Sequence, residues 1–300
     1  MLLLWSQGNA GSRFAGEFLA LGGGARALSL GSAYVALAED VTAGYWNPAG
    51  LAYLPEAEAH LMHAERFSGL VQHDYLAIAR PGHRLHGVAL SLARVGVGSI
   101  PFTTLQDPGR PIGPENRPVI SSTEHSADYA LYLSAGHRLG RRLAAGASLK
   151  FIYRMVGSFS ARGAGLDLGV RYRLLGRAWA AATIRDAVTT PVSWNTDATD
   201  RIHPSLLLGV ACPVPLTGGR GTALVATRLG GDATPEGGGA RLNLGVEYGY
   251  RFLAVRGGLD ESHPAAGLGL RPHARLALDL AWLQHDDLEE TYQLSATFRL

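Results

Sequence analysis

Along most of the chain, apolar residues alternate with small or polar ones at a period of two. Near the C-terminal end, Tyr292, Leu294, Ala296, Phe298 and Leu300 fall on one side of an extended backbone. Thr291, Gln293, Ser295, Thr297 and Arg299 fall on the other. Successive side chains of a strand point to opposite faces, so this pattern predicts a strand with unlike surroundings on its two sides. The same reading sets Leu242, Leu244, Val246, Tyr248 and Tyr250 against Arg241, Asn243, Gly245, Glu247, Gly249 and Arg251. It sets Leu166, Leu168, Val170, Tyr172 and Leu174 against Asp167, Gly169, Arg171 and Arg173, and Leu276, Leu278, Leu280 and Trp282 against Arg275, Ala277, Asp279 and Ala281. Leu149, Phe151, Tyr153 and Met155 likewise oppose Lys150, Ile152 and Arg154. The second face mixes glycine with charge, as the lumen side of a membrane barrel does. Roughly 14 such segments follow one another, each near the length a tilted spanning strand needs. They lie close to 56–66, 70–80, 84–97, 124–138, 141–155, 160–174, 177–187, 203–214, 219–229, 239–249, 251–260, 264–272, 274–285 and 290–300. The first two and the seventh alternate most weakly.

The connections fall into two classes. Short turns are expected near Pro81-Gly82, Leu139 to Arg141, Leu175-Gly176, Gly249-Tyr250 and Pro272-His273, and long links near 98–123, 187–202, 229–238 and 285–290. One rim of short turns and one of longer loops is the outer-membrane pattern. Pro101, Pro108, Pro111, Pro114 and Pro118 make 98–123 too proline-rich for a central strand, so it reads as an extracellular loop or lid. Tyr172, Trp179, Trp194, Tyr248, Tyr250 and Trp282 stand near segment ends, as interfacial girdles do. A propeller or solenoid would show a fixed repeat period, and none is visible. A soluble sandwich would carry more Lys, Glu and Ser on its solvated face than these glycine-rich faces do. The expectation is an all-β fold, a transmembrane antiparallel β-barrel of about 14 strands over residues 55–300, set in the lipid and lipopolysaccharide of a bacterial outer membrane.

Composition narrows this picture. Hydrophobic residues make up 47% of the 300, and charged residues only 17%, below the roughly 25% of soluble domains. The best apolar run, Ala27 to Ala38, is too short for a membrane helix and contains Ser29, Gly31 and Ser32. A membrane location therefore requires a closed sheet. Net charge is +2 with acids and bases interleaved, which gives no footprint for nucleic acid. Cys212 is the only cysteine, so an internal disulfide and a cysteine zinc cluster are excluded, and it reads as a small buried apolar residue. Met1 to Trp5 is apolar and is followed by Gly8-Asn9-Ala10-Gly11, but a positive n-region is missing. Residues 1–17 are read as a leader remnant or periplasmic tail.

Residues 18–54 differ from the rest. They are rich in Gly, Ala and Leu, helical or irregular in character, and read as a plug inside the barrel. The plug motif comprises Gly24, Ala25, Arg26, Gly31, Glu39, Asp40, Asn47, Pro48 and Gly50. Asn47 before Pro48 has the form of a helix start. Lys150, Arg154, Asp167, Arg171, Glu247, Arg251 and Asp279 are expected to face the lumen. Arg26, Glu39 and Asp40 are expected to pair with such charges, for instance Asp167, Glu247 or Arg251.

Gly24-Ala25-Arg26-Ala27, Gly31 to Ala36, Glu39-Asp40 and Tyr45 to Leu51 together resemble the N-terminal signature of the PorV/PorQ family, related to FadL-like outer-membrane transport proteins. The family pattern often has Met and Gly where this chain has Leu30 and Ser32. Val255 to Gly258, Gly267 to Gly269 and Ala277 to Ala281 look similar as well. The resemblance implies a 14-strand barrel with its N-terminal segment tucked inside. It implies a role in type IX secretion and cell-surface assembly through secretion-machinery partners. The alternative is passage of hydrophobic small molecules. A barrel lipid hydrolase ranks below both, and no catalytic, cofactor or metal site is expected. Gly22-Gly23-Gly24 lacks the GxGxxG spacing and a following βαβ unit, His60 and His63 fall on opposite strand faces with His73 apart, and no GxSxG elbow occurs.

Overall fold

The computed structural model describes residues 15–174, 176–216, 219–230, 240–285 and 290–300. The expected leader remnant at 1–17 and the long links at 229–238 and 285–290 lie largely outside the described residues.

Sixteen strand segments form one sheet. They are β1 (Glu58–Arg66), β2 (Val71–Pro81), β3 (Gly87–Leu105), β4 (Pro118–Arg138), β5 (Leu143–Val156), β6 (Phe159–Arg173), β7 (Trp179–Arg185), β8 (Thr190–Trp194), β9 (Thr199–Ile202), β10 (Ser205–Leu216), β11 (Gly219–Gly230), β12 (Arg241–Tyr250), β13 (Leu253–Asp260), β14 (His263–His273), β15 (Leu276–Leu283) and β16 (Thr291–Arg299). Each pairs antiparallel with its neighbours, and β1 closes on β16 from Glu58↔Arg299 to Glu65↔Tyr292. β7 and β8 both pair with β6 and are two halves of one wall strand; β9 and β10 are two halves of the next. The wall is therefore a closed barrel of 14 antiparallel strands.

The alternation sorts the two faces. Leu242, Leu244 and Val246 are exposed on the outside, while Asn243 is buried inside. Leu294 and Phe298 are exposed, while Gln293 and Ser295 are buried. The outward side chains are mainly Leu, Val, Ile and Ala, so the outer surface suits lipid and the inner one a packed lumen. No helix among the described residues is long and apolar enough to cross a membrane.

Several expectations are corrected. The 98–123 link is mostly strand: β3 and β4 run on as a two-stranded ribbon from Ile100↔Glu124 to Leu105↔Pro118. Proline is tolerated there because each strand of the ribbon pairs only with the other, leaving its outer edge unpaired, and the ladder is bulged next to Pro101. The 187–202 link holds β8 and β9. Cys212 is exposed on the outside of β10, because its register places it toward lipid. Trp179 and Trp194 do not belong to an outward girdle; each packs against the interior. Arg251 does not face the lumen. It sits exposed in the turn after β12 with φ +54°, its guanidinium against the Tyr250 ring. The strand ends before the alternation can carry this residue inward.

Candidate functional site

The lumen is occupied by residues 15–54. Two single-turn helices, α1 (Ala25–Leu28) and α2 (Ala43–Trp46), and two 3-10 turns (Glu17–Ala20, Pro48–Tyr53) are joined by irregular backbone. One end lies under β5, where Arg154 donates to the Ala15 carbonyl at 3.3 Å. The other reaches the short-turn rim, where Arg138 donates to the Ala52 carbonyl at 2.8 Å. Asn47 caps the second 3-10 turn: its side chain accepts from the Ala49 N–H and donates to the Val35 and Val170 carbonyls. Pro48 follows as the first residue of that turn, where its missing N–H costs nothing. Close approach fixes two wall glycines. A Cβ on Gly146 would overlap the Pro48–Ala49 backbone, and one on Gly258 would overlap Leu30 and Gly31. Tyr45, Trp46, Tyr75 and Tyr132 meet edge to face at the centre.

Ion pairs join the segment to the wall. Arg26 clamps Glu247 with two bonds, of 2.9 and 2.8 Å. Glu247 also binds Arg256 at 2.6 Å, and Arg256 reaches Asp279 at 2.8 Å. Asp40 turns back on its own segment, accepting from Tyr34 and Thr42 and lying 3.6 Å from Arg26. Glu39 meets Arg171 at 3.1 Å. Asp167 is held by Lys150, not by Arg26, and Arg154 pairs with Asp128 at 2.8 Å. Gly24 donates its N–H to the Met62 sulfur, Ala25 donates to Ser295, and Gly31 accepts from Asn243. Gly50 packs against the Ala38 carbonyl. Among the described residues no group of three or more His, Cys, Asp or Glu is arranged for a metal ion; His60 faces the interior and His63 the outside.

Sequence reasoning missed the break in the wall beside this segment. The β7–β10 ladder ends at Arg185↔Ser205, and pairing resumes only at Thr190↔Ile202. Asp186 takes φ +50° at the break, Val188 is exposed, and His203-Pro204 separates β9 from β10. The bulge is pinned from inside. Lys150, fully buried, lies 3.1 Å from Asp167 and 2.8 Å from Asp186. Thr190 donates to Asp186 at 2.6 Å, and the Asp186 N–H donates to Asp167 at 2.8 Å. A small cavity of about 40 Å³ underlies the break, lined by Leu19, Ala20, Arg185, Ile202 and Arg228 among others. Arg185 stacks over Tyr45 at 4.5 Å, whereas Arg228 has no carboxylate partner among the described residues. A second cavity, of about 50 Å³, separates the segment from the opposite wall and is lined by Arg26, Asp40, Glu58, His60, Arg271 and Asp279 among others. The sequence signal for the break was the weak seventh segment, where Asp186 interrupts the alternation.

No protein-family model matches the chain, and no curated protein matches it. Solved structures do. The Ralstonia pickettii toluene transporter TbuX aligns over 93% of this chain and 98% of its own, at 12% identity and a TM-score of 0.58. The P. putida toluene transporter TodX aligns over 93% and 99%, at 14% identity and 0.59. The CymD monoaromatic hydrocarbon channel aligns over 93% and 98%, at 14% identity and 0.60. At these identities the likeness is one of fold, and the chain is a 14-stranded bacterial outer-membrane β-barrel with the architecture of these transporters and channels.

Proposed function

We propose that this barrel passes hydrophobic small molecules across the outer membrane, entering from the long-loop side and leaving sideways through the break between β7 and β10. The observation that carries the reading is the coincidence of a filled lumen with an interrupted wall ladder at Asp186 to Thr189. A solute that cannot pass straight down a plugged barrel needs a side route, and a greasy one gains by entering lipid. The fold shared with hydrocarbon transporters and channels supports it. The test is uptake of labelled toluene and of a labelled fatty acid by cells lacking related channels. Expression of the chain should raise uptake of at least one several-fold. An Ala187→Cys, Pro204→Cys pair in a Cys212→Ala background should lower that uptake when oxidised and restore it on reduction. Unchanged uptake on expression, or on oxidation of a pair shown to be cross-linked, would reject the route.

A second reading, a partner-binding barrel in secretion, is favoured by one observation: the two cavities beside the segment are small, about 50 and 40 Å³, far below the roughly 300–1,000 Å³ of pockets that hold ligands. The PorV/PorQ resemblance and the type IX secretion role it implies rest on the sequence motif alone. Stoichiometric recovery of an intact secretion complex with the chain, together with absent uptake, would favour this reading.

A further inference from the structure

The outer apolar belt is notched at β1 to β3. On β5 the outward positions Leu143, Ala145, Ala147, Leu149 and Phe151 are all apolar, and on β12 Leu242, Leu244, Val246 and Tyr248 continue the belt. On β1 only Ala59 and Leu61 precede His63 and Glu65, and on β2 only Ile78 and Leu76 precede Asp74. Two outward residues on a strand tilted by about 40° cover about 10 Å of height, against a belt of about 25 Å. The notch is filled by an ion cluster. His63 Nδ1 lies 2.7 Å from Asp74, and Arg94 of β3 binds the other Asp74 oxygen at 2.7 Å. His63 stands directly opposite Leu294 of β16, an exposed belt residue, so the cluster sits at belt height. Ionisable groups facing lipid at that depth are costly and mark a covered surface.

From this notch we infer that a second copy of the chain packs against β1 to β3 about a two-fold axis parallel to the barrel axis and lying in front of β2. The charges select this occupant. The β1–β2 ladder starts at Glu58↔Ala79, two residues above the Pro81↔Gly87 start of the β2–β3 ladder. A hydrogen-bonding row therefore rises from β1 to β3, and Glu65, not His63, stands level with Arg94. Glu65 is 68% exposed, and its only ion contact among the described residues is His63 at 3.9 Å. Arg94 is 35% exposed. A two-fold axis in front of β2 sets β1 of each copy against β3 of the other, so Glu65 faces Arg94 twice. Below these pairs Leu61 of each copy faces Leu90 of the other, and Leu76, near the axis, meets its own symmetry mate. Such a self-complementary patch is what an isologous interface requires.

The test uses the full-length barrel in lipid nanodiscs, read by native mass spectrometry and by disulfide trapping through Leu76→Cys, near the axis, in a Cys212→Ala background. Wild type should be dimeric and should trap. Glu65→Arg alone sets Arg against Arg, and Arg94→Glu alone sets Glu against Glu, so each should lower dimerisation at least tenfold. Mixing the two variants should restore it, because every facing pair in the heterodimer is then opposite in sign. Heat-modifiable migration on gels verifies that each variant is a folded barrel. A monomeric wild type, single variants that dimerise like wild type, or a mixture that fails to recover would each overturn the dimer.

Discussion

Three buried side chains decide the local chemistry of the wall break: Lys150, Asp167 and Asp186. Lys150 is the only lysine in a chain that otherwise uses arginine. A compact ammonium with three donors fits between two carboxylates where a planar fork would not, and Gly165 leaves room for it, since a Cβ there would lie 3.2 Å from the Lys150 Cε. Lys150→Ala strands two buried carboxylates and should cost about 3–5 kcal/mol, measured as a lowered urea midpoint of barrel unfolding. Arg26→Ala should cost less than Arg256→Ala under the same measurement. When Arg26 is lost, Glu247 keeps Arg256 and Asp40 keeps its hydrogen bonds from Tyr34 and Thr42, whereas losing Arg256 leaves Asp279 without a cation among the described residues. The inward position of Lys150, Asp167, Glu247 and Asp279 was legible in the alternation. Their partners were not, because pairing depends on which strand lies alongside and on where the lumen segment runs. Asp186 marked a lapse in the alternation but not the bulge it forms, since φ +50° at an aspartate is a property of the bulge and not of the residue type.

At the scale of elements, the lumen segment is held by packing and capping and has little intrinsic structure. Helices of a single turn such as α1 and α2 do not persist alone in water; they exist because the barrel surrounds them. Deleting residues 18–54 should therefore leave a barrel that still folds but leaks small hydrophilic solutes, read as antibiotic sensitivity or as ion conductance in planar bilayers. A folded barrel with unchanged conductance would mean that the segment does not seal the lumen. The β3–β4 ribbon gives the opposite lesson. Its prolines argued for a loop, yet an outer ribbon with one partner per strand tolerates them. Asn116 then organises the tip through bonds to the Asp107, Arg110 and Pro111 carbonyls. Asn116→Ala should loosen the tip and raise its protease sensitivity without shifting the unfolding midpoint of the barrel.

For the whole molecule, the governing fact is that the outside of the barrel is its apolar face. Leu244→Arg should lower the yield of folded, heat-modifiable barrel and cost up to about 2–4 kcal/mol if it lies near the midplane. An arginine at a position already in the lumen charge network, such as Lys150→Arg, should fail by overcrowding instead, and the two are separated by comparing membrane insertion with urea stability. The period-two pattern determined strand number, face assignment and the membrane setting, because a strand's two sides are fixed by local covalent geometry and by the solvent each must meet. Residue type and spacing also marked the N-terminal segment as something other than strand. Tertiary structure alone decided the break at Asp186, the pairing of Arg26 with Glu247 and the notch at β1 to β3. Each of these arises where residues far apart in sequence are brought to one height of a closed, tilted wall, and closure is a property that no local window of sequence contains.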